Sequence, residues 1–179
     1  YLQLGNDVCE AVLRLRKPVI AAVNGYALGA GAEMAVACDF IVMAEEAQIG
    51  FPETSIGTCI GGGVSKLLPQ LVGLNMARQL LYTGRRIDGR EAARIGLATS
   101  CHPQEALLEE AYQLAETLSR QAPVSIAMLK RLVNQGSDTG LESQLQQELD
   151  AVFTCSTTAD WQEGVDAFAE KRAPRFTGQ

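Results

Sequence analysis

The chain has 179 residues, 47% hydrophobic and 20% charged, enough apolar side chain for one ordinary domain to bury a core without disulfides or metals. A formal net charge of -6, with no basic patch to offset it, argues against nucleic-acid and membrane partners, because phosphate backbones and anionic lipid surfaces repel it. Cys9, Cys38, Cys59, Cys101 and Cys155 are widely spaced with no Cys-x-x-Cys pair, and one histidine cannot complete a metal cluster; buried free thiols in a reducing, cytoplasmic setting are expected.

In chain order, residues 7–16 place Val8, Val12 and Leu15 on one helical face, with Cys9 and Leu13 beside it, and Pro18 stops the helix. The chain opens without Met or a leader, so an upstream portion is expected. The apolar runs 18–23 and 39–44 suit strands buried on both faces. Between them, Gly29-Ala30-Gly31 leads into a small-residue helix through about Ala37, an order that suggests an α/β layer fold. The whole stretch 18–44 is apolar enough to suggest a membrane span, but Asn24-Gly25, further glycines, Glu33 and Asp39 interrupt it.

The glycine-rich turn at Gly61-Gly62-Gly63 precedes a helix through Leu67 and Leu68, and a second helix over 75–82 ends at Gly84. His102, before Pro103 at an expected helix start, is expected to be a surface or capping residue. Beyond it the spacing predicts four helices: one on Leu107, Ala111, Leu114 and Leu118, one opened by Pro123, one on Leu141, Leu145 and Leu149, and one on Trp161, Val165 and Phe168. The expected organisation is a β/α region over 1–102 and a helical C-terminal region over 103–179.

Glu33 is the first residue that points to chemistry. Between Pro18 and Ala44 only Glu33 and Asp39 are charged, and an isolated carboxylate in apolar surroundings is costly to keep ionised. Two readings stand side by side: a functional carboxylate, or a first-turn acid favoured by the helix dipole. The glycines before it would let backbone N–H groups approach a ligand at the positive end of that dipole, although packing alone also places Gly-x-Gly at helix starts. Asp39, at the start of a strand, suits a structural hydrogen bond.

The stretch from Lys17 through Asn24-Gly25, Gly29-Ala30-Gly31 and Glu33 to Asp39 resembles the crotonase, or enoyl-CoA hydratase/isomerase, superfamily. The similarity continues without change of order through Ala47-Gln-Ile-Gly-Phe-Pro-Glu53 and Ile56-Gly57, residues 82–97, residues 130–134, and Glu170-Lys-Arg-Ala-Pro-Arg-Phe176. The resemblance implies an α/β fold with a crotonase-like ββα spiral core and a helical C-terminal region used in oligomerisation and active-site cover. It implies a homotrimer or dimer of trimers.

It also implies an acyl-CoA lyase that adds water reversibly to a 2-enoyl-CoA, an enoyl-CoA hydratase of fatty acid metabolism. Glu33 and Glu53 would be the paired acid/base carboxylates and the Ala30 N–H one oxyanion donor. Such a pair suits the reaction, which needs a base for the attacking water and an acid for the α-carbon. Without the resemblance, Glu53 would be a solvated turn residue after Pro52. Phe51, Ile60 and Gly61 are expected to line the substrate pocket, and Lys171, in a cationic group with Arg172 and Arg175, to approach CoA phosphates, beside the alternative that these charges simply solvate the tail. No metal or cofactor is called for beyond the coenzyme A of the substrate.

The loop Cys59-Ile60-Gly61-Gly62-Gly63 departs from the Pro-Gly common in family hydratases, which leaves the acyl group open. Isomerase or hydrolase chemistry on the same scaffold, and a non-catalytic binding protein, remain alternatives. Cys59 lacks a partner base and is expected to be a buried or lining thiol.

Overall fold

A computed structural model describes residues 2–179, with side-chain burial from residue 3 onward. Helix α1 spans Leu2–Arg14, longer at its start and shorter at its end than the spacing predicts. The residue before a proline is pushed out of the helical region, and the helix gives way several residues ahead of Pro18. Its inward side is centred on Cys9, 4% exposed, whereas Val8 and Leu15 are exposed at 37% and 50%.

The two apolar runs form β1 (Ile20–Val23) and β3 (Phe40–Ala44), with helix α2 (Ala30–Ala37) between them as expected. Only β3 is nearly buried throughout; β1 is half-buried up to Val23. Asp39 takes the structural part expected of it, its Oδ2 accepting from the Val19 N–H at 2.7 Å where β3 begins.

Short strands complete the architecture: β2 (Tyr26–Leu28), β4 (Gln48–Gly50), β5 (Arg86–Asp88) and β6 (Ser100–His102). One sheet has the order β1-β3-β6, all parallel; the other has the order β2-β4-β5, with β2 and β4 parallel and β5 antiparallel to β4. Two successive turns of chain, β1-β2 and β3-β4, each lay one strand in the first sheet and the next in the second before a helical segment begins. That succession is a ββα spiral.

After β4, residues Pro52–Ile56 form a 3-10 turn, followed by α3 (Val64–Val72), α4 (Leu74–Thr83) and α5 (Gly89–Arg94). Gly84 ends α4 in the left-handed conformation, φ 63°, as its position predicts. Helix α5 was not evident from spacing; Asp88 caps it by accepting the Glu91 N–H. The largest fully buried side chains include Met43, Ile49, Phe51, Leu68, Leu80 and Leu107, each worth about 1.5–3 kcal/mol of burial.

Contacts divide the chain into two compact units, residues 2–14 with 19–113, and Leu15–Pro18 with Leu114–Gln179. Helix α6 (Leu107–Ser119) runs across that division, and α7 (Pro123–Gly136), α8 (Leu141–Ser156) and α9 (Ala159–Glu170) build the second unit. His102 is not a capping residue. It ends β6, half-buried, with Nε2 3.0 Å from Ser100 Oγ and Nδ1 3.9 Å from a Glu110 carboxylate oxygen.

The predicted apolar positions of α8 and α9 are helical but largely exposed: Leu141 74%, Leu149 63%, Phe168 88%. Among the described residues, no helix is long and apolar enough to cross a membrane.

Candidate active site

The second sheet sets the two segments that carry Glu33 and Glu53 side by side. β2 and β4 run parallel with Leu28 opposite Gly50, so the segments leaving their C-terminal ends emerge side by side. The Gly29 N–H extends this ladder by donating to the Gly50 carbonyl at 3.1 Å. One segment continues into α2 and carries Glu33; the other passes Phe51 and Pro52 and carries Glu53 in the first turn of the 3-10 helix. Ligand sites commonly form in this place, beyond the carboxyl ends of parallel strands.

Gly29 is where the two segments touch. Its φ of 55° with ψ of -123° suits glycine alone, and a Cβ there would stand 2.9 Å from Glu53 Oε1. The Glu33 N–H donates to the Gly29 carbonyl at 2.9 Å, the first i to i-4 bond of α2. The geometry of a helix start therefore leaves the N–H groups of Ala30 and Gly31, both exposed, outside the intrahelical ladder at the positive end of the dipole.

Glu53 is 7% exposed, and its Oε2 is buried with no hydrogen-bond partner among the described residues. A buried carboxylate oxygen left unpaired opposes folding and is retained at a cost. Glu33 is half-buried and better supplied, since the Gly61 N–H donates to its Oε1 at 2.7 Å. Its Oε2 would lie 3.4 Å from a Cβ on either Gly61 or Gly62. The glycine turn after residue 60 therefore closes directly over Glu33.

Two residues of α1, Asn6 and Cys9, meet this turn. The Gly62 N–H donates to Asn6 Oδ1 at 2.9 Å, and a Cβ on Gly62 would stand 2.9 Å from Cys9 Sγ and 3.0 Å from Glu33 Cβ. Burial pushes the Cys9 thiol up from its ordinary value, and the nearby negative charge of Glu33 adds to the shift. Cys9 was expected to be a buried thiol and is; Asn6 carries no signal in spacing or composition, being a mid-helix polar residue like many others.

The remaining expected site residues fall as follows. Phe51 is 1% exposed and sits in the core immediately before the 3-10 turn; Ile60 is half-buried, and Gly61 faces Glu33. Cys59 is exposed, not buried; it follows Thr58, whose N–H bonds the Glu53 carbonyl at 3.0 Å. All five cysteines are free, but only Cys9 is buried. No group of three or more His, Cys, Asp or Glu side chains among the described residues could hold a metal ion.

Lys171 belongs to the second unit, where it ends α9 in the left-handed conformation, φ 55°, and is exposed. Of its cationic neighbours, the Arg172 side chain is committed locally. Arg172 grips Glu163 through two N–H groups at 2.6 and 2.9 Å and bonds Glu170 at 2.6 Å, while the Arg175 N–H donates to Glu163 at 2.7 Å. The Arg172 hydrogen bonds, reinforced by the Arg175 N–H, hold the Glu163 carboxyl down at about 2. Asp160, 3% exposed, accepts the N–H groups of Thr177 at 2.6 Å and Gly178 at 2.8 Å, so the tail lies folded along α9.

Comparison with known proteins agrees with this geometry. Residues 3–179 match the family model described as enoyl-CoA hydratase/isomerase. The chain is 41% identical to a crotonyl-CoA hydratase of Syntrophomonas wolfei, over 97% of this chain and 66% of that protein. It is 38% identical to a short-chain-enoyl-CoA hydratase of Clostridium acetobutylicum, over 94% of this chain and 65% of the relative. The crystal structure of an enoyl-CoA hydratase from Bacillus anthracis superposes with a TM-score of 0.96 at 38% identity, over 99% of this chain and 69% of that one. The chain thus spans just under two thirds of the length of these curated relatives. With its ββα spiral and family-wide match, the chain belongs to the enoyl-CoA hydratase/isomerase family and has the crotonase fold.

Proposed function

We propose that the protein is an acyl-CoA hydratase that adds water reversibly across the double bond of a 2-enoyl-CoA. The observation that supports this reading is that the two glutamate-bearing segments touch at Gly29, with Glu53 Oε1 against that glycine and Glu33 on the helix it opens. The names of the similar hydratases support a short-chain enoyl thioester, with crotonyl-CoA as the first substrate to try.

In the proposed reaction Glu33 takes a proton from water as the oxygen bonds to the β-carbon. The electron pair of the double bond moves toward the thioester oxygen, where the Ala30 N–H at the head of α2 meets the developing charge. Glu53 then delivers a proton to the α-carbon, and exchange with solvent resets both carboxyls. Glu33 suits the base role because the Gly61 N–H fixes its Oε1, leaving Oε2 to accept from water. Glu53 suits the acid role because its Oε2 is buried without a protein partner. The proposed chemistry needs no cofactor beyond the coenzyme A carried by the substrate, and a cytoplasmic setting goes with it.

The helical unit is proposed to serve assembly as a homotrimer or dimer of trimers. Exposed Leu141, Leu145, Leu149, Val152 and Phe153 form one apolar side of α8, more than a solvated helix needs, and sedimentation at micromolar concentration tests the assembly. Lys171 is proposed to meet CoA phosphates. The intact protein is expected to hydrate crotonyl-CoA, with a mass increase of one water in the product. Mass-neutral double-bond migration or thioester cleavage as the main outcome overturns the reading in favour of an isomerase or hydrolase, and binding without turnover in favour of a non-catalytic protein.

A further inference from the structure

The turn that faces Glu33 has no side chains of its own to hold it; its carbonyls at Gly61 and Gly63 bond forward to the start of α3. Gly61-Gly62-Gly63 is free of side chains, with left-handed φ values of 58° at Gly62 and 78° at Gly63, and such a segment loses much conformational freedom when ordered. Two consecutive N–H groups of the turn are nevertheless gripped from different elements. The Gly61 N–H goes to Glu33 on α2, and the Gly62 N–H goes to Asn6 on α1.

Asn6 is exposed, so core packing does not account for it. Asparagine is also a poor residue for a helix interior, because its amide competes with the backbone for hydrogen bonds. Here its Oδ1 reaches away from its own helix, 2.9 Å from the Gly62 nitrogen and 3.2 Å from where a Gly61 Cβ would stand.

We infer that Asn6 is a positioning residue for Glu33: by holding the Gly62 N–H it presents the adjoining Gly61 N–H to the Glu33 carboxylate and fixes the orientation of that group. The kinetic side of this inference rests on the hydratase reading, whereas the clamp itself does not. Asn6 touches no reacting atom; it acts through the two glycines.

The test compares Asn6→Leu and Asn6→Asp in the intact protein. Leucine has the same branched side-chain skeleton and better helix propensity but no acceptor; aspartate keeps the acceptor and adds a negative charge near Glu33. Hydrogen exchange resolved at the Gly62 amide is expected to speed up about tenfold or more in Asn6→Leu and to stay near wild type in Asn6→Asp. With crotonyl-CoA, kcat in Asn6→Leu is expected to fall about tenfold with KM changed less than about twofold. Asn6→Asp is expected to recover kcat to within about threefold of wild type at its own optimum, with the acidic limb of the pH profile moved upward by the added charge.

Wild-type exchange at Gly62 in Asn6→Leu, wild-type kcat in that variant, or an Asn6→Asp protein as slow as Asn6→Leu overturns the inference. If the wild-type protein hydrates no enoyl-CoA, the functional reading fails, and the Gly62 exchange rates alone then decide for or against the clamp.

Discussion

The Gly61 N–H and Glu33 Oε1 stand 2.7 Å apart, although the two residues lie on different sides of a strand pair and a 3-10 turn in the chain. This bond ties the backbone of a three-glycine turn to the orientation of one carboxylate. Substitution of the neighbouring Gly62 by alanine is expected to damage both. Its φ of 58° strains any L side chain, and the new Cβ would meet Cys9 Sγ at 2.9 Å and Glu33 Cβ at 3.0 Å. Gly62→Ala is expected to lose about 1–3 kcal/mol of stability in denaturant unfolding, and about tenfold or more in kcat. A variant as stable and active as wild type would show that the turn yields easily.

Glu53 separates activity from stability. Glu53→Gln is expected to lose about 10²- to 10⁴-fold in kcat, since an amide cannot deliver the proton, yet to unfold at a denaturant concentration close to that of wild type. The buried Oε2 has no partner to lose, and an amide of the same size adds no charge there, so stability is expected to stay within about 1 kcal/mol of wild type. Clear destabilisation together with retained turnover would contradict both halves of this expectation. Glu33→Gln is expected to be comparably inactive.

Cys9 reports on the charge of Glu33. Burial is the larger cause of its raised pKa and the Glu33 charge the smaller, so Glu33→Gln removes only the smaller part. The thiolate is the reactive form, and alkylation of Cys9 by iodoacetamide between pH 7 and 9 is expected to run about two- to fivefold faster in Glu33→Gln than in wild type. Equal or slower alkylation across that range would mean the thiol does not sense the carboxylate.

The tail clasp makes an acid-dependent contribution. The folded-state value of Glu163, about 2, lies below its ordinary value of 4.5, so its contribution is complete above that ordinary value and is lost as pH falls toward the folded one. The stability advantage of wild type over Glu163→Gln, measured by urea unfolding, is expected to shrink steadily from pH 5 to pH 3. A difference that is flat with pH would exclude a charge-dependent bond.

Asp160→Ala tests the other half of the clasp. Two backbone donors, Thr177 and Gly178, lose a buried charged acceptor, at an expected cost of about 2–3 kcal/mol, and their amides are expected to lose hydrogen-exchange protection. Unchanged protection at both amides would show the tail to be held by other contacts.

Much of this architecture follows from local pattern. The small-residue helix after Gly29, the strands on both sides of it, the turn at Gly61 and the run of C-terminal helices each appear in residue spacing, because helix periodicity, apolar runs and glycine breaks act over a few neighbouring residues. Glu33 stands out on the same basis, as a rare charge in an apolar stretch, and the family resemblance pairs it with Glu53. The strands that set the two glutamate-bearing segments side by side are different in kind. β2 and β4 are three residues long, too short for any period to register, and their pairing is a matter of hydrogen bonds between distant segments. For the same reason the grip of Asn6 on Gly62, the exposure of Cys59, the end of β6 at His102 and the capture of the tail by Asp160 belong to the tertiary structure alone. A side chain's type is written in the chain, but the partner it meets depends on which elements lie next to one another once the fold has closed.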